Sequence, residues 1–198
     1  MNHYFAARGW ILAGALLALL AARAASEAAL RPAWLALVLA GILLRTWAGA
    51  HLGPHGNAAR AQAPALATGG PYRFSRNPLY LSNALVAAGL ILYANALAFS
   101  AALLFILAIA SHHALLVRHE ESVLAERFGE AYDAWRRAVP RWIGIPGGNN
   151  AERGVGSGDS AERPHAFGSL RTLGVRQGRN VAYALLAVLS VWIAAQWS

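Results

Sequence analysis

The 198-residue sequence contains no cysteine, no lysine and only nine acidic side chains. Without cysteine there is no disulfide, thiolate zinc site, iron–sulfur cluster or cysteine nucleophile. Charged residues make up 13% of the chain and hydrophobic ones 57%, where an ordinary soluble domain carries about 25% charged residues. That deficit argues against a soluble globule and also against disorder, which needs low hydrophobicity and high charge. The length suits one compact unit. The net charge of +8 comes from 17 basic residues, all arginine and most of them beside apolar segments. This distribution reads as charge at a membrane surface well ahead of nucleic-acid binding.

A helix needs about 20 mostly apolar residues to cross a bilayer core. Five stretches approach that: 9–22, 33–50 (interrupted by Arg45), 79–92, 97–117 and 181–197. The third and fourth are separated only by the break Tyr93-Ala94-Asn95. Several are short, so flanking residues or local thinning of the bilayer must supply the rest. The expectation is an all-α integral membrane protein with about five transmembrane helices in a single membrane domain. Residues 1–65 hold two leading helices and a loop, 66–143 the core, 144–179 a glycine-rich polar segment and 180–198 the final helix. Two alternatives stand beside it. The first stretch, with Arg8 ahead of it and small residues at 21–25, has the makings of a cleaved signal peptide. All five stretches are also compatible with buried helices of a soluble all-α protein.

The arginines orient the chain. Ten fall between 118 and 179, three (Arg60, Arg73 and Arg76) between 51 and 78, and two (Arg23 and Arg31) between the first two stretches. Positive charge accumulates on the cytoplasmic side. The N-terminus and the two arginine-rich segments therefore face the cytoplasm of a multi-pass inner-membrane protein, the C-terminus lies outside, and Arg23 and Arg31 are a mild exception.

Beyond the fourth stretch, residues 119–138 read as a continuing amphipathic helix. Leu124, Phe128, Tyr132 and Trp135 recur at helical spacing, and charged residues fill the other faces. Gly129 weakens that helix, and Val139-Pro140 ends it. Residues 144–164 are rich in glycine, asparagine and serine and read as a linker.

Two polar clusters sit where membrane meets cytoplasm. The first is Thr68-Gly69-Gly70-Pro71-Tyr72-Arg73-Phe74-Ser75-Arg76-Asn77-Pro78-Leu79-Tyr80. Gly69-Gly70 permits a tight turn and close ligand approach, and Pro78 suits the first turn of a helix. Arg76 is placed to clamp a carboxylate or phosphate, or simply to snorkel to lipid phosphate. The second cluster is Arg118-His119-Glu120-Glu121. Adjacent carboxylates at a membrane boundary require a cationic partner unless they lie on a solvated face. The two clusters bracket one helical pair, so an anion-binding and a cation-binding group end near each other. An amino-acid-like zwitterion fits between them. The seven histidines, including His51/His55, His112-His113 and His119, are too sparsely placed for a metal centre. The glycine run at 154–158 lacks the strand and helix of a dinucleotide loop, and no serine elbow with triad partners is present.

The stretch GPYRFSRNPLYLSNAL, followed by RHEESVLAERFGEAYDAWRRAVPRWI, resembles the isoprenylcysteine carboxyl methyltransferase and phospholipid methyltransferase superfamily of integral membrane enzymes, over roughly residues 66–143. Its pattern is a G-P-Y-x-x-x-R-H-P-x-Y block, a hydrophobic helical pair, E-E-x-x-L, F-G-x-x-Y-x-x-Y and a V-P-R ending. The resemblance implies S-adenosylmethionine as methyl donor, bound at the cytoplasmic membrane face by Gly70, Tyr72, Arg76, Asn77, Tyr80, His119, Glu120 and Glu121. It implies Arg76, Tyr80 and Glu121 as catalytic residues. Tyr132, Arg136 and Arg141 then face a lipidic or prenylated acceptor, with no metal, nucleic acid or obligate protein partner. Asn77 departs from the pattern's histidine, Ser82-Asn83 from a commoner glycine and Trp135 from the second tyrosine. A base role of that histidine does not pass to Asn77. Two rivals remain: a membrane reductase of the sterol reductase type, which shares an R-H-P-x-Y block but takes NADPH, and a non-enzymatic small membrane protein.

Overall fold

The computed structural model describes residues 2–52, 66–144 and 170–196, and among them every regular element is helical. Helix α1 spans Asn2–Ala24, α2 Leu35–His51, α3 Pro78–Ala94, α4 Phe99–Ala138 and α5 Leu170–Ala194. Single 3-10 turns occupy Pro32–Trp34 and Gly70–Arg73. Pro78 opens α3, where its missing N–H costs nothing. Helix α4 runs from the fourth apolar stretch into the amphipathic one, interrupted by a kink at Gly129 (φ 51°, ψ −126°). Helix α5 begins at Leu170, ahead of the final apolar stretch, so residues 170–179 are helical. The glycine-rich residues 145–169, the loop 53–65 with His55 and Arg60, and Trp197 lie outside the described residues.

Pro32–His51 and Phe99–Ala138 are long and apolar enough to cross a membrane, whereas Ala13–Ala24, Pro78–Ala94 and Ala182–Ala194 are apolar but shorter. Beside an apolar core, the helices expose many large apolar side chains. Leu39, Leu43 and Trp47, spaced four apart on α2, form an exposed apolar stripe, and α4 exposes Leu104, Leu107 and Leu115. Arg23, Arg76, Asn77, Ser82 and Glu121 are buried. Apolar faces outward and polar side chains inward suit lipid as solvent. The protein is an all-helical, membrane-associated one.

The chain divides into two compact units. One comprises Met1–Ile42, Ala84–Leu116 and Asn180–Ser198; the other comprises Leu43–Asn83 and Val117–Arg179. In the first, Leu19, Val38, Leu90, Ile91, Ala102 and Val191 form the core. Gly89 of α3 lies hard against α2: a Cβ there would stand 2.7 Å from Val38 Cγ2 and 2.9 Å from Val38 N. The turn after α3 is made by Asn95 at φ 48°, a conformation asparagine tolerates, and its amide donates to Ala29 O at 2.9 Å. The last carbonyls of α3 are met from the first loop. Arg31 N donates to Tyr93 O at 3.0 Å. The Arg23 guanidinium, 2% exposed, donates to Ala94 O at 2.9 Å and to the carbonyls of Ser26 and Ala28. An arginine expected as loop charge is thus an internal tie for carbonyls that helix ends leave unmet. The second unit packs around Ala48, Leu52, Tyr72, Leu124, Tyr132, Trp135 and Val139.

Replacing Gly89 with alanine forces a methyl against the Val38 backbone and is expected to cost about 1–3 kcal/mol by overpacking, read as a lower thermal-unfolding midpoint in detergent. Gly14, whose added Cβ would meet nothing within 4 Å, is the control; Gly14→Ala is expected to leave the midpoint unchanged or raise it slightly.

Candidate functional site

The site is assembled in the second unit from the loop before α3, the middle of α4 and the segment after α4. The loop starts with the 3-10 turn at Gly70, which has φ +56°, a value that favours glycine. A Cβ there would also fall 2.3 Å from His51 Nε2, so the glycine lets the loop close onto the end of α2. Tyr72 N then donates to Gly69 O, and Phe74 N and Ser75 N to Pro71 O, each at 3.1 Å. Ser75 Oγ accepts the Asn77 N–H at 3.0 Å. The Asn77 carbonyl accepts from Tyr80 N and Leu81 N, both at 3.1 Å, which makes Asn77 the cap residue of α3. Local hydrogen bonds thus fix the loop, and the side chains of Arg76 and Asn77 are left for longer-range contacts.

Those contacts converge on Glu121. Its Oε1 takes the Asn77 Nδ2 donor at 3.0 Å and lies 3.3 Å from Arg76 NH1. Its Oε2 accepts from Arg141 Nε at 3.1 Å and NH2 at 2.8 Å. The side chains of Glu121 and Arg76 are 9% and 10% exposed, while that of Arg141 is 42% exposed. The loop is also stitched to the segment after α4 by backbone. Arg76 N donates to Pro140 O at 2.9 Å and Gly144 N to Phe74 O at 3.1 Å. Asn77 Nδ2 reaches Arg141 O at 3.3 Å and Ser75 Oγ the same carbonyl at 3.5 Å.

The cluster of two guanidiniums and one carboxylate carries a net positive charge. Both oxygens of Glu121 are engaged. A buried pair of this kind is retained because losing either member strands a charge in a low-dielectric interior. The adjacent Glu120 is half-buried, and its carboxylate makes no hydrogen bond or ion pair among the described residues. Asn77 Oδ1 is also buried, with no hydrogen-bond partner among them. The site therefore presents a half-exposed guanidinium at Arg141 and two acceptors, Glu120 and Asn77 Oδ1, on residues adjoining the cluster.

The residues singled out from sequence fall into three groups. Arg76, Asn77, Glu121 and Arg141 are brought together, and the first three are buried. Gly70, His119, Glu120 and half-buried Tyr80 lie on the same segments. Tyr72 and Tyr132 are core residues, 1% and 0% exposed, with the Tyr132 ring 5.7 Å from that of Trp135. Arg136 pairs with Asp133 at 3.0 Å on the surface. Sequence reasoning missed Ser75 and the Pro140 and Arg141 carbonyls. The S-x-N spacing ahead of a proline-led helix is the signal for Ser75; backbone acceptors leave none. It also passed over Arg45 of α2, whose NH1 donates to Asn83 Oδ1 of α3 at 2.7 Å.

Removing the Glu121 carboxylate by Glu121→Ala takes from buried Arg76 the carboxylate oxygen 3.3 Å from its NH1 and is expected to cost about 3–5 kcal/mol. Arg136→Ala, which breaks an exposed pair, is expected to cost no more than about 1 kcal/mol. Thermal unfolding of both variants in the same detergent checks the contrast.

Residues 33–131, half of the 198-residue chain, match the family model described as phospholipid methyltransferase. No curated protein and no solved structure matches the chain.

Proposed function

The chain belongs to the phospholipid methyltransferase family, and from that membership and the site geometry we propose that it transfers a methyl group from S-adenosylmethionine to a lipidic acceptor at the membrane. The observation that carries the reading is the convergence of Arg76, Asn77 and Arg141 on Glu121, with the Glu120 carboxylate left over beside it. We place this site at the cytoplasmic face of an inner-membrane protein of about five spans folded as a single membrane domain. Support for that orientation comes from the arginines gathered in residues 51–78 and 118–179.

The residues present fit such a donor. A zwitterionic methionine moiety asks for a guanidinium and for acceptors. Arg141, whose Nε and NH2 donate to Glu121, offers the remaining edge of a half-exposed guanidinium, Glu120 a carboxylate with no partner among the described residues, and Asn77 Oδ1 a buried acceptor. When bound, the donor supplies an activated methyl group on a sulfonium. The protein's task is alignment, because an in-line displacement gains chiefly from holding the two reactants in position. In this reading Glu121 is a positioning residue. It holds Arg76 and Asn77 in place and hands ligand contact to Glu120 and Arg141. A carboxylate acceptor of the isoprenylcysteine type is already nucleophilic and needs only orientation. A phospholipid amine has to lose a proton, and Tyr80, one turn along α3 from Asn77, or Glu120 is placed to take it. Gly70 and the His51 ring close the loop against α2.

Glu120→Gln removes a ligand carboxylate without touching the Glu121 cluster. Its affinity for S-adenosylmethionine is expected to fall at least tenfold with an unchanged melting midpoint, measured by calorimetric titration and thermal unfolding. Unchanged affinity, or no affinity in the parent protein, overturns the assignment. Mass spectrometry of membrane lipids labelled from methyl-deuterated donor reads the acceptor.

A further inference from the structure

Among the described residues of the second unit, three large apolar side chains are exposed outside any helix: Phe74 at 48%, Trp142 at 37% and Ile143 at 73%. Far apart in sequence, they lie on one strip of chain. Gly144 N donates to Phe74 O at 3.1 Å and Arg76 N to Pro140 O at 2.9 Å, so residues 74–76 and 140–144 run antiparallel, side by side. Ser75 Oγ and Asn77 Nδ2 fasten the strip through the Arg141 carbonyl. The exposed leucines of α2 and α4 sit on helices apolar enough for lipid, and that explanation does not extend to a non-helical strip. An apolar patch held open in this way marks an interaction surface.

The arginines choose the occupant. Residues 70–76 and 136–144 hold five arginines and no acidic residue. Arg76 and Arg141 are committed to Glu121, and Arg136 to Asp133. Arg73 and Arg137 are exposed and make no ion pair among the described residues. A second copy of the chain sets like charges against each other. Residues 145–169, which follow the strip, bring only Ile145, Val155 and Phe167 as large apolar side chains. An anionic lipid surface offers acyl chains to the apolar groups and headgroup charge to the arginines. Tryptophan at the headgroup level and arginine reaching for lipid phosphate are the side chains such a boundary favours. Position agrees, since Phe74 comes shortly before Pro78, which opens the apolar helix α3.

We propose that the edge made by Phe74, Trp142 and Ile143, flanked by Arg73 and Arg137, docks on the surface of an anionic lipid leaflet. This is a contact with bulk lipid, separate from any acceptor site, and it holds whatever reaction the protein performs. Its effect on the Glu121 cluster is mechanical. Phe74 and Arg76 share one short segment, so lipid pins the loop that carries Arg76.

The chain has no cysteine, so Phe74→Cys and Ile143→Cys each place one nitroxide label on the full protein. Glu130→Cys, exposed on α4, is the aqueous control. Vesicles are made of phosphatidylcholine alone or of a three-to-one mixture with phosphatidylglycerol. Electron paramagnetic resonance reads access to oxygen, which enters lipid, and to a neutral nickel chelate, which stays in water. In the anionic vesicles the oxygen-to-nickel ratio at positions 74 and 143 is expected to exceed that at 130 about fivefold, because burial of roughly 5–10 Å into the headgroup boundary excludes the chelate. It falls at least twofold in phosphatidylcholine alone, and Arg73→Gln with Arg137→Gln brings the anionic value down to the same level. A ratio at either position equal to that at 130 overturns the docking surface. Ile143, the most exposed, carries the test should Phe74→Cys unfold. Loss of access to both reagents marks cover by this chain's own protein, and spin–spin broadening marks a second copy; each overturns it. A ratio indifferent to phosphatidylglycerol, or to the paired arginine substitutions, overturns the anionic assignment.

Discussion

One buried carboxylate, the only one among the described residues, organises the polar interior of the second unit. Glu121 stands in the middle of a 40-residue helix and gathers a guanidinium and an amide from the loop ahead of α3 and a guanidinium from the segment after α4. Each partner satisfies a different need. Arg76 is itself buried and requires an anion; Asn77 caps α3 with its carbonyl and is free to send its amide elsewhere; Arg141 closes the second carboxylate oxygen. Backbone bonds from Arg76 N to Pro140 O and from Gly144 N to Phe74 O hold the same pieces of chain together. Remove the carboxylate and what remains is two like charges with no common partner.

This arrangement assigns different tasks to two neighbouring glutamates. Consecutive positions on a helix point about 100° apart, as 3.6 residues per turn requires. Glu121 therefore turns into the cluster while Glu120 does not. The resemblance treats the pair as one unit. The geometry separates the two: Glu121 is held by Arg76, Asn77 and Arg141, while half-buried Glu120 has no partner among the described residues. A membrane enzyme of this size has little room for separate scaffold and site, and here the scaffold is made of the same residue types as the site.

Much of the fold was legible. Five apolar stretches mark the five helices among the described residues, as apolar runs do where the backbone must satisfy its own hydrogen bonds. Pro78 and Val139-Pro140 mark a helix start and a helix end by their missing donors and restricted φ. The amphipathic continuation after the fourth stretch was visible in Leu124, Phe128, Tyr132 and Trp135. Less legible was the start of α5, since residues 170–179 carry polar and glycine residues that resemble a loop. In the site, residue types and spacing pointed to Arg76, Asn77, Glu121 and Arg141 but not to their mutual contact. Opposite charges that each suggest a ligand of the other sign also satisfy one another, and only distance tells which happens. Tyr132 illustrates a different limit: its helical spacing fits a core aromatic and a ligand-facing one equally, and in the structure it packs in the core of the second unit beside Trp135.

Arg23 bears on how membrane proteins of this kind are oriented. Its guanidinium is turned onto carbonyls at Ser26, Ala28 and Ala94, so it acts as a clasp between chain segments and is withheld from lipid headgroups. Charge asymmetry across a bilayer depends on the cations that reach the aqueous boundary. With Arg23 set aside, the first loop contributes a single exposed arginine, Arg31, to any such boundary.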